Sequence, residues 1–352
     1  MFRIGIIGAG AISDSHIKSY KANSNCEVAA IADINLEQAQ KKATEFGIPC
    51  AYSDYNDILN DKTIDAVSVL VPTFLHKDVA IKALASGKHV LCEKPPALNA
   101  DEVRECVEAA KKAGKLLMYA LVARFRNQSQ YLKNYIVSGR MGEIISVDIE
   151  RTVRCSTSGG WFTKKSMAGG GVMFDAAIHD IDLMLYVMGY PKIKSVTGSV
   201  SYANRDLPSK INVPKSTWIS ADTKKYESDV ETSASAYITF ENGAYLFVKA
   251  SNVLMTVNPS YWTQICGEKA GARIMPWGDP KLEFVEVGED NYIREVKPVM
   301  ETGDPYLAEV NHFDDCCMNG TECICKPEEA IELMKVICAI YESSERGQTI
   351  YF

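Results

Sequence analysis

The chain has 352 residues, enough for two domains at roughly 100–200 residues each. Its 47% hydrophobic and 24% charged residues are the balance of a globular chain with ample core material. With 38 basic against 45 acidic residues the net charge is −7, so no basic field draws a phosphate backbone and general nucleic-acid binding is not expected.

The first 120 residues alternate short apolar runs with longer amphipathic ones, the βαβ pattern of a parallel sheet. Strands are predicted at Arg3–Ile7, Cys26–Ala32, Ala66–Val71, His89–Cys92 and Leu116–Tyr119. Helices are predicted near Ala11–Ala22, Leu36–Phe46, Tyr55–Asn60, Lys77–Ser86 and Ala100–Ala113. Gly47, Gly87 and Gly114 follow three of these helices, where left-handed caps belong, and Asn99 fits an N-cap. Beyond residue 122 the texture changes to β-branched and aromatic strands at Glu143–Arg154, Ile193–Ser201, Thr232–Glu241, Ala244–Ser251, Tyr261–Cys266 and Leu282–Val287. Gly171–Met188 and Pro327–Arg346 read as long helices, and the polar stretch Asn204–Lys225 as a long loop. The expected fold is α/β. It has an N-terminal Rossmann dinucleotide-binding domain (1–122) and a C-terminal α+β domain with a large, mostly antiparallel sheet (123–352). No apolar run approaches the ~18 residues of a membrane span and no leader precedes the first strand, so a cytoplasmic protein is expected.

Eleven cysteines, an odd number, exclude a fully paired disulfide framework within one chain. Cys26, Cys92, Cys106, Cys266 and Cys338 lie in apolar stretches as small hydrophobes. The cluster His312…Cys316-Cys317…Cys323-x-Cys325 lacks the C-x₂₋₄-C spacing of zinc sites and reads as reduced thiols around a turn, so no metal site is expected.

Three motifs carry chemistry. Gly8-Ala9-Gly10-Ala11-Ile12-Ser13 lies between a strand and a helix, where the first glycine makes the turn and the second admits a pyrophosphate to the backbone. The helix N-terminus then offers N–H groups and the positive end of its dipole. Asp33 ends the second strand 20 residues after Ser13, the spacing of an acid that binds the adenosine ribose diol. No Arg or Lys follows in Ile34-Asn35-Leu36-Glu37, which favours NAD over NADP; the plain alternative is a surface acid that caps the next helix. The second motif, Cys92-Glu93-Lys94-Pro95, puts an acid and a lysine at the carboxyl end of a parallel strand, where ligands bind in open α/β sheets. A lysine desolvated there can act as acid or base, although Glu-Lys-Pro alone is a common surface turn. The third, Gly169-Gly170-Gly171…Asp175…His179, spaces a carboxylate and an imidazole four apart, on one helix face. A carboxylate there would fix the imidazole tautomer for general-base work. A glycine linker beside a core histidine is the plain alternative. A metal held by His179, Asp175 and Asp182 is a minor option, since no third histidine joins them.

Taken together, Gly8-Ala9-Gly10, Val71-Pro72-Thr73-Phe74-Leu75-His76, Cys92-Glu93-Lys94-Pro95, Arg124-Phe125 and Gly169-Gly170-Gly171…Asp175…His179 resemble the Gfo/Idh/MocA family of glucose-fructose oxidoreductase and inositol dehydrogenase. The match runs in order over residues 3 to about 190. The family pattern Thr-Pro-Asn-x-x-His is replaced here by Val71-Pro72-Thr73-Phe74-Leu75-His76. The resemblance implies an NAD-dependent oxidoreductase that moves a hydride between nicotinamide and a hydroxyl carbon of a sugar, sugar acid or cyclic polyol. It implies catalytic roles for Lys94, Asp175 and His179, which with Arg124 also contact substrate, and a cofactor set of Gly8, Ala9, Gly10, Ala11, Ile12, Asp33, Ile34, Val71, Pro72, Thr73, Leu75, His76, Glu93, Lys94 and Trp161. Within this set Glu93 and His76 line the cofactor side, Trp161 covers the nicotinamide, and Arg124 positions rather than catalyses. A homodimer or homotetramer through the C-terminal sheet is the implied assembly. Two other readings stay open: a redox-neutral glycoside-processing enzyme with tightly held NAD, and a non-catalytic NAD-binding regulator. Tyr202, Trp218, Tyr261, Trp262 and Trp277 are candidate sugar-stacking surfaces, though strand aromatics more often pack in cores and interfaces.

Overall fold

The structure, a computed structural model, describes residues 1–156, 159–211, 227–275, 281–288 and 290–352. Residues 212–225 of the expected loop lie outside these. The chain divides into one unit of Met1–Val122 with Asp304–Met334 and a second of Ala123–Gly303 with Lys335–Phe352.

The first unit begins with β1 (Phe2–Ile7), α1 (Ser13–Ala22), β2 (Cys26–Ala32), α2 (Leu36–Phe46), β3 (Cys50–Tyr52), α3 (Asn56–Asn60) and β4 (Ala66–Val69). It continues with α4 (His76–Ala85), β5 (His89–Glu93), α5 (Ala100–Ala113) and β6 (Leu117–Ala120). All strands pair in parallel, in the order β3-β2-β1-β4-β5-β6. Helices cover both faces of such a sheet, so its strands read as continuous apolar runs: Ile4, Ile6, Ile31, Val67, Val69, Val90 and Leu91 are all fully buried. The caps follow the sequence signals. Asn35 and Asn99 accept from the amides of Gln38 and Glu102, and Gly47 and Gly114 turn left-handed at φ 65° and 62°.

The second unit carries α6 (Asn127–Val137), β7 (Ile144–Thr152), the short helix α7 (Lys165–Ala168), a π turn at Met173–Ala177 and α8 (Ile178–Met188). There follow β8 (Ile193–Ser201), β9 (Ser233–Phe240), β10 (Tyr245–Ser251), β11 (Ser260–Gly267), β12 (Ala270–Met275), β13 (Lys281–Val287) and β14 (Ile293–Val296). After α9 (Pro305–Asn319) and α10 (Pro327–Arg346), β15 (Ile350–Tyr351) completes a nine-stranded sheet in the order β14-β13-β12-β11-β7-β10-β9-β8-β15. Only the β7–β10 pair among these ladders is parallel. The period of two sorts the faces. Val196, Ile238, Leu246, Val147, Ile265, Ala272 and Phe284 form one cross-strand row of buried residues. The adjacent row runs through Tyr237 and Phe247, 44% and 40% exposed. Helix α6 packs on the buried row, with the Tyr135 ring 4.3 Å from that of Phe284. The C-terminal half of α10 lies against β8 at Gly198, where a Cβ would stand 2.5 Å from the Ile340 carbonyl.

Two differences from the sequence reading stand out. The expected second domain, 123–352, contains Asp304–Met334, a segment whose contacts group it with the first unit. Asp304 accepts from the amides of Tyr306 and Leu307, Pro305 opens α9, and Gly320 closes it at φ 70°. The helix so delimited lies along α1, where the Asn23 amide donates to Asp314 at 3.3 Å. The second difference is the π turn, which breaks the single helix expected over Gly171–Met188.

Glu309 on α9 is fully buried, and neither of its carboxylate oxygens has a hydrogen-bond partner among the described residues. Burial, with a smaller push from the Glu93 charge, raises its pKa well above the ordinary 4.5. The folded state therefore holds this proton more tightly than the unfolded chain. The associated stability is intact below pH 4.5 and is lost as pH rises through the folded value. Glu309→Gln, permanently neutral, should exceed the wild type in stability by a margin that grows with pH to about 1–3 kcal/mol. Thermal melts at mildly acidic and alkaline pH test this; an equal margin at both would refute it.

Candidate functional site

The first unit places its candidates at the carboxyl ends of β1, β2, β4 and β5, on either side of the point where the strand order reverses. Gly8 leaves β1 at φ 107°, and a Cβ there would stand 2.5 Å from the Leu70 carbonyl. Its amide donates to Ala32 at 2.8 Å. The Asp33 carboxylate accepts from the amides of Ala9 (2.8 Å) and Asn35 (2.9 Å), and the Gln38 side chain donates to the Ala9 carbonyl at 2.6 Å. Asp33 thus clasps the glycine turn as well as ending β2. At Gly10 nothing lies within 4 Å of where a Cβ would be, and α1 begins with no side-chain cap. Bare backbone at Gly10, at a helix start without a side-chain cap, fits a pyrophosphate, while the amides of Ser13, Asp14 and Ser15 donate to the carbonyls of Gly10, Ala11 and Ile12. Ile34 beside Asp33 is 96% exposed. After β4, Thr73 is buried with no hydrogen-bond partner for its hydroxyl among the described residues, next to half-buried Val71, Pro72 and Leu75.

Glu93 ends β5. It accepts from the Lys94 amide at 3.0 Å through one oxygen, and its other oxygen lies 3.0 Å from Nε2 of the fully buried His16. Lys94 is half-buried and precedes a cis peptide bond to Pro95. His76, expected on the cofactor side, is buried, and its ring nitrogens face the carbonyls of Pro95 (2.7 Å) and Val71 (2.8 Å). It braces those two segments to each other. Burial is the larger influence on its pKa and lowers it, against the two carbonyls, which favour the charged ring.

In the second unit the triple-glycine segment is pressed from outside. A Cβ at Gly171 would collide with the Glu231 carbonyl, and one at Gly170 with the Tyr341 hydroxyl. The Glu231 carboxylate, 2% exposed, accepts from the amides of Gly171 (2.7 Å) and Met173 (3.1 Å) and from the Tyr341 hydroxyl (2.6 Å). Its pKa is nevertheless raised, because desolvation outweighs these three bonds. This clamp holds the start of the π turn, a deviation found often at functional sites. Asp175 lies in the turn, half-buried, and His179 in the first turn of α8, 8% exposed. Asp175, Gly171, Glu231, Thr232 and Asn252 line a hollow of about 380 Å³ that includes its open mouth. Trp161 stacks on Phe162 at 3.8 Å in a short 3₁₀ turn, and Phe162 lines the same hollow.

Arg124, expected against substrate, has a fully buried guanidinium. It donates to both oxygens of Asp182 (2.9 and 2.6 Å) and to the Tyr190 hydroxyl (2.6 Å). Asp182 is therefore engaged inside the protein, which removes it from the minor metal option with Asp175 and His179. Asp180, also buried, accepts from Tyr261 at 2.9 Å and from Arg151 at 3.4 Å; burial raises its pKa against both. Of the aromatic candidates, Tyr261 is committed to Asp180 and Trp262 lies 4.7 Å under Arg273, whereas Tyr202 is 39% exposed. Trp218 and Trp277 lie outside the described residues. Sequence reasoning missed Glu231, Arg151 and Asp180. The signal for Glu231 was slight, an acid two residues before the alternating strand β9.

Both halves of the chain are similar to known proteins. Residues 2–121 match the Gfo/Idh/MocA oxidoreductase family, NAD-binding Rossmann fold, and residues 133–352 match its C-terminal alpha/beta domain. A D-glucoside 3-dehydrogenase of Escherichia coli (strain K12) is 31% identical over 99% of this chain and 97% of its own length. D-xylose 1-dehydrogenase (NADP(+)) 2 of Haloferax volcanii is 28% identical over 98% of each. Among solved structures, aldose-aldose oxidoreductase from Caulobacter crescentus with glycerol superposes at a TM-score of 0.84 with 20% identity, covering 100% of this chain and 99% of that one. Levoglucosan dehydrogenase with NADH and levoglucosan gives 0.83 with 24% identity over 99% of both chains. At those identities the two structures speak to the fold.

Removing one partner of a buried ion pair strands the other charge, at about 3–5 kcal/mol, whereas replacing both with apolar residues is often near neutral. Arg124→Met alone should lower stability by that amount in denaturant unfolding, and Arg124→Met with Asp182→Leu should recover most of it. A double variant no better than the single one would contradict this account.

Proposed function

The chain belongs to the Gfo/Idh/MocA oxidoreductase family, and on that footing we propose that it is an NAD-dependent dehydrogenase acting at a hydroxyl carbon of a sugar, sugar acid or cyclic polyol. The observation that carries the cofactor reading is the bare Gly10 backbone at the uncapped start of α1, with Asp33 fixed alongside. The amides there hold the pyrophosphate. The Asp33 carboxylate has lone pairs beyond its two backbone bonds for a ribose diol, and it repels a 2′-phosphate. With Ile34 and Asn35 following in place of a cation, NAD is preferred to NADP. The Thr73 hydroxyl, without a partner among the described residues, and the Val71–Leu75 segment complete the cofactor side, with Trp161 as cover for the nicotinamide. His76 contributes by bracing Val71 to Pro95.

Bound NAD supplies a hydride acceptor. His179 takes the hydroxyl proton, with Asp175 orienting the ring or holding a neighbouring hydroxyl. Lys94, its backbone anchored by Glu93, is assigned the role of polarising the nascent carbonyl. Arg124 acts through Asp182 on α8 and is a positioning residue. The D-glucoside 3-dehydrogenase relative, 31% identical over nearly the whole chain, supports the sugar or polyol class. A cytoplasmic homo-oligomer completes the proposal, joined through the sheet face that exposes Tyr237 and Phe247.

The deciding experiment follows reduced nicotinamide by absorbance with NAD or NADP against inositols, pyranoses, sugar acids and aryl glycosides. The proposal expects NADH from one polyol class and little activity with NADP. Lys94→Ala and His179→Ala should each lower kcat by about 10²–10⁴-fold; wild-type turnover in either would sink the assignment. Glycoside cleavage without NADH release would replace the dehydrogenase with a redox-neutral reaction.

A further inference from the structure

Away from the residues assigned above, α9 carries His312 and Cys316 four apart, so both side chains rise from one helix face. The helix stops at Gly320, whose φ of 70° reverses the chain, and the following turn brings Cys323 back onto that face. The Cys316 Sγ lies 3.3 Å from His312 Nε2. The Ile324 amide donates to the same nitrogen at 3.0 Å, and Cys323 Sγ lies 3.4 Å from the Cys325 carbonyl. One ligand atom from each of His312, Cys316 and Cys323 lies within 4.8 Å of the other two, the one such convergence of metal-binding side chains among the described residues.

Zinc bonds of about 2.3 Å to sulfur and about 2.0 Å to nitrogen put tetrahedral donors roughly 3.3–3.8 Å apart, so side-chain adjustments of about an ångström close this set around an ion. Cys316 is buried while His312 and Cys323 are half-buried, which leaves a way in from solvent. Packing accounts for a buried Cys316 but not for two further soft donors converging on it. One imidazole and two sulfurs select a borderline-soft cation over magnesium or calcium. We propose that His312, Cys316 and Cys323 bind a single thiophilic divalent cation, of which zinc is the probe, clipping the 320–326 turn to α9. Water takes the fourth position. Binding releases any thiol protons still present, so two thiolates balance the dication, and it exchanges the Ile324 N–H···Nε2 bond for a metal–nitrogen bond. The C-x₂₋₄-C rule passes over this set because helical periodicity supplies one spacing and a chain reversal the other.

The test uses the full-length protein, reduced and stripped by a chelator, then titrated with zinc against a chromophoric competitor and with cobalt for spectroscopy. One ion per chain is expected, with thiolate-to-cobalt charge-transfer absorption and a zinc-dependent rise in melting temperature. Cys316→Ser, Cys323→Ser and His312→Gln should each weaken binding by more than about 100-fold, the upper range for outer-shell changes. Cys50→Ser and Cys155→Ser, at half-buried thiols elsewhere, should leave it unchanged. Metal-free melts of each variant separate lost binding from lost folding. Absence of stoichiometric binding to the reduced wild type, or binding that survives Cys316→Ser with Cys323→Ser, overturns the proposal. A Cys316–Cys323 disulfide forming in air in a protein that takes up no cobalt overturns it in favour of a redox pair.

Discussion

The first unit depends on a close approach at Gly8. The chain leaves β1 beneath the Leu70 carbonyl, in a space that admits hydrogen but no methyl group. This lets β1 and β4 stay paired up to the point where the connections depart to opposite sides of the sheet. The turn beyond Gly8 is then fixed by side chains from β2's end and α2. Asp33 and Gln38 satisfy the Ala9 amide and carbonyl, and the amides of Ser13, Asp14 and Ser15 turn onto the carbonyls of Gly10, Ala11 and Ile12, so α1 starts without a side-chain cap. A capping serine or aspartate in place of Ile12 would stabilise α1 by about 1 kcal/mol by accepting from an amide of its first turn.

The second unit solves a different problem, how to keep ionisable groups inside a hydrophobic layer. Arg124 with Asp182, Asp180 with Arg151 and Tyr261, and Glu231 with two amides and Tyr341 each surround buried charge with directed hydrogen bonds. The last differs in kind, because its main partners are backbone. Glu231 spends its charge on the amides of Gly171 and Met173 and so sets the start of the π turn. The conformation around Asp175 is thereby imposed by a residue far along the chain. Such sites combine local irregularity with distant support, which is how strained segments persist.

Much of this was legible in the sequence, for reasons that can be named. The glycine turn, the acid at the end of β2, the Asn and Gly caps and the alternation of β9 and β10 are local signals tied to local physics. β3, at three residues, and β14, at four, carry too few side chains to display a period. The Asp304-Pro305 start and Gly320 stop of α9 were present as signals and passed over. The π turn was not legible at all, since its cause is Glu231. Nor was the burial of Arg124 and His76, which a sequence presents as polar residues near a motif and which tertiary contacts turn inward.

The return of Asp304–Met334 to the first unit has a consequence for the order of events during synthesis. The nucleotide-binding sheet is encoded by residues 2–120, yet the α1 surface that packs against α9 stays uncovered until Pro305–Asn319 has been made. During that interval the face of α1 that carries His16 and Asn23 lacks its partners Tyr306 and Asp314 while the second sheet is translated. Completion of the cofactor-binding unit is in this way made to wait for the polypeptide that follows it, so a ribosome that stalls before residue 304 releases a sheet of the right topology with one of its helices still bare.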